Sequence, residues 1–360
     1  MTTIKLKDCA NIKTGKLNSN AAVIGGIYPF FTCDPETSQI DYFSFDEEAI
    51  LLAGNNASGK FNIKYYVGKF NAYQRTYIIN SSTDILATKY LYYFLSTKLP
   101  QFTTLSSGSA TKFLTKALLD NCDIEVPSLA EQSHIVDILG SIDDSVENNE
   151  KIIEALEEKM LLEYDHLITS TTLAESEMQE IFDISIGKTP PRKESHWFTE
   201  NSEDVKWLSI SDMGKAKVFA FDSSEKITAE GIEKYNVKIA PENTVLLSFK
   251  LTIGKVAITG CEMATNEAIA HFVSDDENIV EYLYCYLKRY NFDMLGNTSS
   301  IATAVNSKTI KAMKFYYPDM ETLADFHRIS EPLIKKIKHL LITNAKLNEL
   351  KQLYLKKFFG

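Results

Sequence analysis

Two long stretches of the chain repeat apolar residues at alternating steps of three and four positions. The first begins just after Pro127, where Ser128 and Glu131 have the spacing of a capping box at a helix start. Such stepping is typical of a coiled-coil seam, in which a polar Asn fixes the register at a cost in stability. We therefore predict two long helices that pair with each other. The seam positions are Leu139, Ile142, Val146, Asn149, Ile153, Leu156 and Met160 in the first helix and Leu333, Ile337, Leu340, Asn344 and Leu347 in the second.

The chain also contains an internal repeat. The tyrosine-rich residues 90–95 recur at 282–287, an offset of 192. Residues 12–16 resemble residues 184–188 at an offset of 172, so the second copy carries about 20 additional residues. Each copy ends at a proline that precedes one of the long helical stretches. We therefore predict two copies of one folding unit, each followed by a long helix.

Short runs rich in β-branched and aromatic residues lie within each copy, separated by Gly, Asn and Ser turns. One amphipathic helix is predicted around each tyrosine-rich run, whose tyrosines we assign to the core. We predict an α+β fold with two mixed α/β domains separated by two long antiparallel helices. The domains comprise residues 1–126 and 178–317, and the helical regions residues 127–177 and 318–360. The predicted strands include residues 49–53, 64–67, 75–79, 205–210, 245–249 and 256–258.

Charge is unevenly distributed among these segments. The 360 residues include 38 basic and 48 acidic side chains, giving a net charge of -10 that does not indicate a nucleic-acid partner. Residues 127–177 alone carry a net charge of -11 and residues 318–360 carry +3, whereas the two globular segments carry +1 and -3. We expect these opposite charges to favour pairing of the two helices, with the apolar seam supplying the stability.

Little in the sequence indicates membrane insertion, secretion or a metal site. No apolar run approaches the roughly 20 residues of a bilayer span, and the start of the chain lacks a secretory pattern. Five scattered cysteines without a CxxC pair indicate reduced thiols. Six histidines form no HExxH motif, and we expect each to be a surface or capping residue. We expect a cytoplasmic protein without a metal site.

One motif suggests nucleotide chemistry. Residues 54–60 have the glycine and lysine spacing of a phosphate-binding loop, but Phe61 replaces the Ser or Thr that would hold magnesium, and a strand rather than a helix follows. A β-hairpin turn that presents polar side chains to a ligand fits better. We expect no catalytic residues and no cofactor in this chain. Two alternatives stay open: a coiled-coil scaffold that binds no DNA, and a nucleotide-dependent enzyme that uses residues 54–60.

Three segments together resemble the specificity subunits of type I restriction-modification systems. Residues 126–149 (VPSLAEQSHIVDILGSIDDSVENN) are similar to that family's central conserved region, and residues 187–192 with 207–213 to the opening of a target recognition domain. Residues 59–75 are similar to its core hairpin. The distal helix departs from the pattern: we expect Pro332 to interrupt it, and residues 323–326 replace the pair Glu131 and Gln132.

The resemblance implies that each of two target recognition domains reads one half of a bipartite, asymmetric DNA site. It implies that the helices dock two methyltransferase (modification) subunits and that two motor-nuclease (restriction) subunits join them, directing adenine methylation or restriction. S-adenosylmethionine, ATP and magnesium are then expected in the partner subunits. The acidic first helix becomes a docking surface, which reconciles a DNA-binding protein with a net charge of -10.

Candidate DNA-binding residues come from the predicted turns of each domain. Lys and Arg on such turns neutralise phosphates, whereas Asn, Ser and Arg can also read base edges. In the first domain they are Lys16, Asn18, Asn55, Asn56, Ser58, Lys60, Lys64, Ser107, Ser109 and Lys112. In the second they are Lys188, Arg192, Lys193, Ser211, Lys215, Lys250, Lys255, Ser299 and Ser300.

Overall fold

The computed structural model describes residues 2–56, 60–106, 108, 111–250, 252–295 and 305–360. They divide into two compact units. Unit 1 comprises Met1–Val146 and Lys346–Gly360, and unit 2 comprises Glu147–Ala345. Each unit therefore combines one globular segment with parts of both long helices.

The described part of unit 1 contains ten strands, six of which form its main sheet. Its strands are β1 (Thr2–Lys5), β2 (Ala10–Thr14), β3 (Tyr28–Phe31), β4 (Ser38–Ile40), β5 (Phe45–Ala53), β6 (Asn55–Asn56), β7 (Ile63–Ala72), β8 (Thr76–Ser81), β9 (Lys112–Phe113) and β10 (Asp123–Val126). Its helices are α1 (Leu6–Cys9), α2 (Thr88–Leu105), α3 (Lys116–Asp120) and the first part of α4 (Leu129–Ser170). The main sheet has the order β2-β8-β5-β7-β3-β4, and two further pairs are β1-β10 and β6-β9. Neighbouring strands are antiparallel except β3 and β7.

Both faces of the central strand β5 are buried. Ile50 and Leu52 belong to a core shared with the tyrosine-rich helix α2, whereas Ala49 and Leu51 belong to a second core with Phe70. Because side chains alternate along a strand, this continuous apolar run supplies both cores at once. The prediction of a strand at residues 49–53 is confirmed within β5.

Unit 2 repeats this plan with two sheets. Its strands are β11 (Ala174–Glu177), β12 (Asp183–Ile186), β13 (Phe198–Thr199), β14 (Val205–Leu208), β15 (Phe219–Ala220), β16 (Glu225–Ile227), β17 (Ile239–Ala240), β18 (Val245–Ser248), β19 (Val256–Thr259), β20 (Met263–Thr265), β21 (Ile269–Val273) and β22 (Lys314–Tyr317). Its helices are α5 (Met178–Ile181), α6 (Ile210–Lys215), α7 (Ala229–Tyr235), α8 (Val280–Arg289), α9 (Ser307–Lys311) and most of α10 (Met320–Phe359). The sheets have the orders β12-β21-β18-β19-β15 and β13-β16-β14-β20-β17, and β11 pairs with β22.

Each unit contains a pair of parallel strands at an equivalent position. In unit 1, β3 runs parallel to β7 at Phe31 and Ala72; in unit 2, β14 runs parallel to β20 at Trp207 and Ala264. Ala72 and Ala264 are separated by the repeat offset of 192. The single strand β7 corresponds in unit 2 to two shorter strands, β19 and β20, so one sheet becomes two.

One strand prediction in unit 2 was too long. Residues 205–210 were expected to be extended, but β14 ends at Leu208 and α6 begins at Ile210. Ser209 caps this helix: its Oγ accepts the Asp212 N–H at 3.0 Å, and Asp212 in turn accepts the Ser209 N–H at 3.3 Å. This reciprocal pair, rather than the apolar content of residue 210, determines the local structure.

The long helices are antiparallel within unit 2. Asn149 on α4 donates a 2.7 Å hydrogen bond to Asn344 on α10, and further along α4 the ring of Tyr164 lies 6.4 Å from that of Phe326. As the residue number rises on α4 it falls on α10. The mixed α/β architecture with long paired helices, predicted from the sequence, is thereby confirmed.

Charge pairing of the helices differs from the expectation. Among the described residues, one ion pair, Asp143 with Lys351 in unit 1, joins α4 to α10. Other carboxylates of α4 pair with the globular part of unit 2 instead, as Glu150 does with Lys217 at 3.3 Å. Lys288 of α8 pairs with a further α4 carboxylate at 2.9 Å. The acidic helix is thus matched mainly by the domain beside it.

Pro332 does not interrupt α10, contrary to the expectation. The helix continues from Met320 to Phe359, with Phe326 and Ile334 buried in the core on either side of the proline. Pro332 itself is exposed. On that face water can satisfy the carbonyl of Arg328, which loses its helical donor, so burial of the seam outweighs one missing hydrogen bond.

Candidate nucleic-acid interface

Several turns of unit 1 meet at one end of its main sheet. The end of β2 (Thr14) pairs with Tyr77, and the end of β5 (Ala53) pairs with Thr76. The segments that follow β2 and β5, and the turn that precedes β8, therefore leave the sheet at the same place. We call residues 15–18, 54–56, 73–75 and 112–113 the first loop cluster.

Backbone contacts hold the first loop cluster together. The Gly54 N–H donates to the Arg75 carbonyl at 2.8 Å, and the Gly54 carbonyl accepts from Leu114 at 2.9 Å. β6 pairs with β9, which sets Asn55 opposite Phe113 and Asn56 opposite Lys112. A side chain at Gly15 would overlap the carbonyl oxygen of Ala72, so only glycine allows the first loop this close approach.

Most described candidates of unit 1 lie in this cluster. Lys16 is exposed, whereas Asn18 accepts a 2.8 Å hydrogen bond from Gln74. The Oδ1 atom of Asn55 is buried and accepts no hydrogen bond from any described residue. Asn56 and Lys112 come together through the β6-β9 pair, and Lys60, which is exposed, follows the same turn. Ser58, Ser107 and Ser109 lie outside the described residues.

Lys64 is not one of the residues of the first loop cluster. Its Nζ donates to the Thr37 hydroxyl at 2.9 Å and to the Asp34 carbonyl at 3.3 Å, and it lies 5.8 Å from the Phe31 ring centre. Burial lowers the pKa of this half-buried amine. Through these contacts, Lys64 stabilises the segment between β3 and β4.

Sequence reasoning missed Arg75. Its guanidinium lies 5.4 Å from the centre of the Phe113 ring, inside the first loop cluster. The sequence pattern predicts a strand from residue 75, but β8 begins at Thr76 and Arg75 belongs to the preceding turn. The internal repeat is the signal that could have identified Arg75 as a residue of the loop cluster. Position 75 corresponds to Glu267, which lies in the equivalent loop of unit 2 and accepts a hydrogen bond from Thr189.

The corresponding end of unit 2 carries a second loop cluster, defined as residues 187–193, 250, 252–255 and 265–268. The Lys188 N–H donates to the Thr265 carbonyl at 2.8 Å, and the Lys188 carbonyl accepts from the indole Nε1 of Trp207 at 3.1 Å. Gly187, like Gly15 in unit 1, allows this approach: a side chain there would overlap Thr265. The same device therefore recurs at equivalent places in the repeat.

Arg192 is built into the second loop cluster. It makes a two-pronged salt bridge with Glu225, at 2.7 and 2.9 Å. Its guanidinium also lies 4.0 Å from the ring centre of Phe198 and 4.7 Å from that of Trp207. This planar group thus fixes the loop, while the neighbouring Lys188 and Lys193 stay exposed.

The remaining described candidates of unit 2 lie on α6 and on the segment between β18 and β19. Ser211 and Lys215 are exposed on α6, and Lys250 is exposed after β18. Lys255 lines a crevice with Glu154 and Glu157 of α4 and therefore faces the long helix. Ser299 and Ser300 lie outside the described residues. Direct contact of these side chains, and of the unit 1 candidates, with DNA stays a prediction.

His271 was expected at the surface but is fully buried on β21. Its Nδ1 lies 3.1 Å from the Ser185 hydroxyl and its Nε2 lies 2.7 Å from the Thr265 hydroxyl. Burial lowers the pKa of His271 to about 4, so the ring is neutral at pH 7. The histidine thereby links β12 to the strand end that holds Lys188.

The predicted seam residues are buried or half-buried, and within unit 2 the Asn149–Asn344 hydrogen bond joins the two long helices. The buried ones are Leu139, Ile142, Ile153, Met160, Ile337, Leu340 and Asn344, and the half-buried ones are Val146, Asn149, Leu156, Leu333 and Leu347. Their part in docking other subunits stays a prediction.

Within the described ranges, no group of three or more His, Cys, Asp or Glu side chains has an arrangement that could hold a metal ion. None of the helices in the described part of the chain is both long and apolar enough to cross a membrane.

Comparison with known proteins identifies the family. A family model described as the type I restriction modification DNA specificity domain matches residues 1–158 and 172–352. The type I restriction enzyme EcoDI specificity subunit of Escherichia coli is 39% identical over 154 residues, covering 43% of this chain and 34% of that protein. The HindI specificity subunit of Haemophilus influenzae is 26% identical over 187 residues, covering 51% of this chain and 40% of that protein. The matches thus span between a third and two fifths of these curated relatives.

A solved structure shows the same fold. The type I restriction-modification system S subunit from M. genitalium superposes with a TM-score of 0.63 at 17% identity, covering 100% of this chain and 96% of that one. The family model matches one stretch in each half of the repeat and most of the chain. The chain therefore belongs to the type I restriction-modification DNA specificity domain family.

Proposed function

We propose that this chain is the DNA-recognition subunit of a type I restriction-modification complex and that each unit reads one half of a bipartite, asymmetric site. One observation carries the proposal: a repeated fold presents equivalent loop clusters, each closed by a glycine, Gly15 or Gly187, and each rich in amide, hydroxyl and basic side chains. Such groups contact phosphates and read base edges. Two similar but chemically different clusters suit two different half-sites.

The partners of the proposed complex are double-stranded DNA, two methyltransferase (modification) subunits and two motor-nuclease (restriction) subunits. The long helices offer the docking surface, because α4 keeps exposed carboxylates such as Asp144 and Glu154 outside the ion pairs with unit 2. We assign S-adenosylmethionine, ATP and magnesium to the partner subunits. The chain itself acts as a non-catalytic specificity subunit in the cytoplasm.

The test is co-expression with the methyltransferase subunit of the proposed complex, followed by single-molecule sequencing of host DNA for methylated adenines. The proposal expects one bipartite motif with adenine modified on both strands, and no such motif when this chain is omitted. A stable complex that leaves no modified motif would favour the scaffold alternative. A Lys60→Ala variant that abolishes ATP hydrolysis by the isolated chain would favour the nucleotide-dependent alternative.

A further inference from the structure

A basic cleft runs along β12, which is an edge strand of its sheet. The cleft has a volume of about 700 Å³ and is lined along its length by residues 183–186 of this strand. Its other walls carry Lys238, Ser307, Lys308 and Lys311, so three lysines face one acidic residue, Asp183. None of these lysines was a candidate in the sequence.

The positive charge of the cleft is not neutralised within unit 2. Among the described residues, no carboxylate forms a salt bridge with any of the three lysines, and Lys238 and Lys308 are exposed. The equivalent helix of unit 1 differs, because there Lys116 pairs with Asp120 at 2.6 Å. Lys311 is the last residue of α9, as Asp120 is the last residue of α3. The repeated fold therefore does not require this charge.

Along the chain, the cleft is adjacent to the second loop cluster. Ile186 is its last lining residue on β12, and Gly187 and Lys188 follow in the chain. Ser185, which also lines the cleft, contacts the buried His271 that links β12 to the cluster. A four-residue strand extends roughly 13 Å, which spans several phosphates along one DNA strand.

We propose that this cleft holds the sugar–phosphate backbone of the duplex whose bases the second loop cluster reads. This inference rests on the proposed function and adds Lys238, Lys308 and Lys311 to the DNA-binding surface. Lysine ammonium and serine hydroxyl groups are donors suited to phosphate oxygens. The contact fixes the position of the duplex and carries no sequence information.

The test replaces the three lysines with glutamine in the full-length chain, assembled with its methyltransferase subunits. The matched control, Lys7→Gln/Lys69→Gln/Lys98→Gln, removes equal charge from lysines of unit 1 that lie outside the first loop cluster and the long helices and that also form no salt bridge among the described residues. Binding is measured over a range of salt concentrations, with a duplex that carries the motif mapped by methylation sequencing and with a duplex that lacks it. Size-exclusion chromatography checks assembly, and a Lys→Arg triple variant tests whether charge alone suffices.

We expect the slope of log affinity against log salt to become shallower by about 2 to 3 in the glutamine variant. Affinity falls by the same factor for both duplexes, so their ratio is unchanged. The arginine variant and the unit 1 control keep the wild-type slope. A wild-type slope in the glutamine variant would overturn the inference while leaving the proposed function intact, whereas a wild-type complex that does not distinguish the two duplexes would overturn the proposed function itself.

Discussion

At the scale of single residues, the clearest departure from sequence reasoning is His271. A histidine within an apolar run carries no local sign of its environment, so its burial could not be predicted from the sequence. The structure places it between the hydroxyls of Ser185 and Thr265, beneath the loop that begins at Gly187. Arg192 shows a related limit: its residue type made it a DNA-binding candidate, but its contacts with Glu225 and two aromatic rings could not be predicted from the sequence.

The neutral His271 makes the stability of unit 2 depend on pH. Its folded-state pKa of about 4 lies below the unfolded value near 6.5, so its contribution is complete above pH 6.5 and is lost as the pH falls towards 4. At pH 5 the loss relative to pH 7.5 is about 2 kcal/mol. His271→Gln, which keeps hydrogen-bonding groups without this titration, should remove that part of the pH dependence.

Urea unfolding at the two pH values, followed by tryptophan fluorescence, measures this effect. Both tryptophans, Trp197 and Trp207, lie in unit 2, so the signal follows that unit. Equal pH dependence in the wild type and in His271→Gln would show that His271 does not carry the effect.

At the scale of elements, the two long helices follow from the sequence because a seam is a local pattern. Steps of three and four located α4 and α10, including the two Asn positions that meet as Asn149 and Asn344. Two predictions about these helices were wrong: that Pro332 interrupts α10, and that the acidic side chains of α4 pair mainly with the basic side chains of α10. Both effects depend on tertiary contacts, which a local pattern does not contain. Pro332 is exposed on α10, and α4 carboxylates found partners on the globular part of unit 2.

The asparagine pair should show strong coupling in a double-mutant cycle. Asn149→Leu or Asn344→Leu alone leaves the other amide unpaired in the seam, and we expect each to cost about 1 to 3 kcal/mol in the unfolding free energy of unit 2. The double variant should cost clearly less than the sum, because no unpaired amide then remains. Urea unfolding monitored by tryptophan fluorescence gives all four values. Additive costs would mean that the hydrogen bond contributes nothing to stability.

Gln132 is a buried polar residue of unit 1 whose counterpart in unit 2 is apolar, so the two units should respond differently to its loss. It is fully buried, and its amide accepts the Ala87 N–H at 2.8 Å and donates to the carbonyls of Ile85 and Pro127 at 2.7 and 2.9 Å. Gln132 is the fourth residue of α4, and the fourth residue of α10 is the buried Leu323. Gln132→Leu should expose the start of α2 to local opening, at a cost of about 1 to 3 kcal/mol.

Hydrogen exchange measured by mass spectrometry on peptides of α2 checks this prediction. The matched variant Glu131→Gln, at an exposed neighbour on α4, should leave their protection unchanged. Protection of α2 that survives Gln132→Leu would show that the buried amide is dispensable.

At the scale of the whole molecule, the internal repeat made the architecture predictable. Shared residues at one offset indicated two copies of a unit, and the parallel pairs β3-β7 and β14-β20 show the copies in three dimensions. The division of the unit 2 sheet could not be predicted, because it depends on strand pairing between distant segments. The cleft lysines were missed for the same reason, since Lys238 and Lys308 are 70 residues apart in the sequence.

The central claim is that each unit reads its own half of one DNA site. The most direct test maps methylated adenines in cells that contain the methyltransferase subunit with the wild-type chain, with Asn55→Ala/Asn56→Ala in the first loop cluster, or with Lys188→Ala/Ser211→Ala in unit 2. The account predicts that the wild type modifies one bipartite motif and that each variant relaxes the sequence requirement in one half only, a different half for each. Relaxation of the same half by both variants, or a wild-type motif without two separate parts, would contradict it.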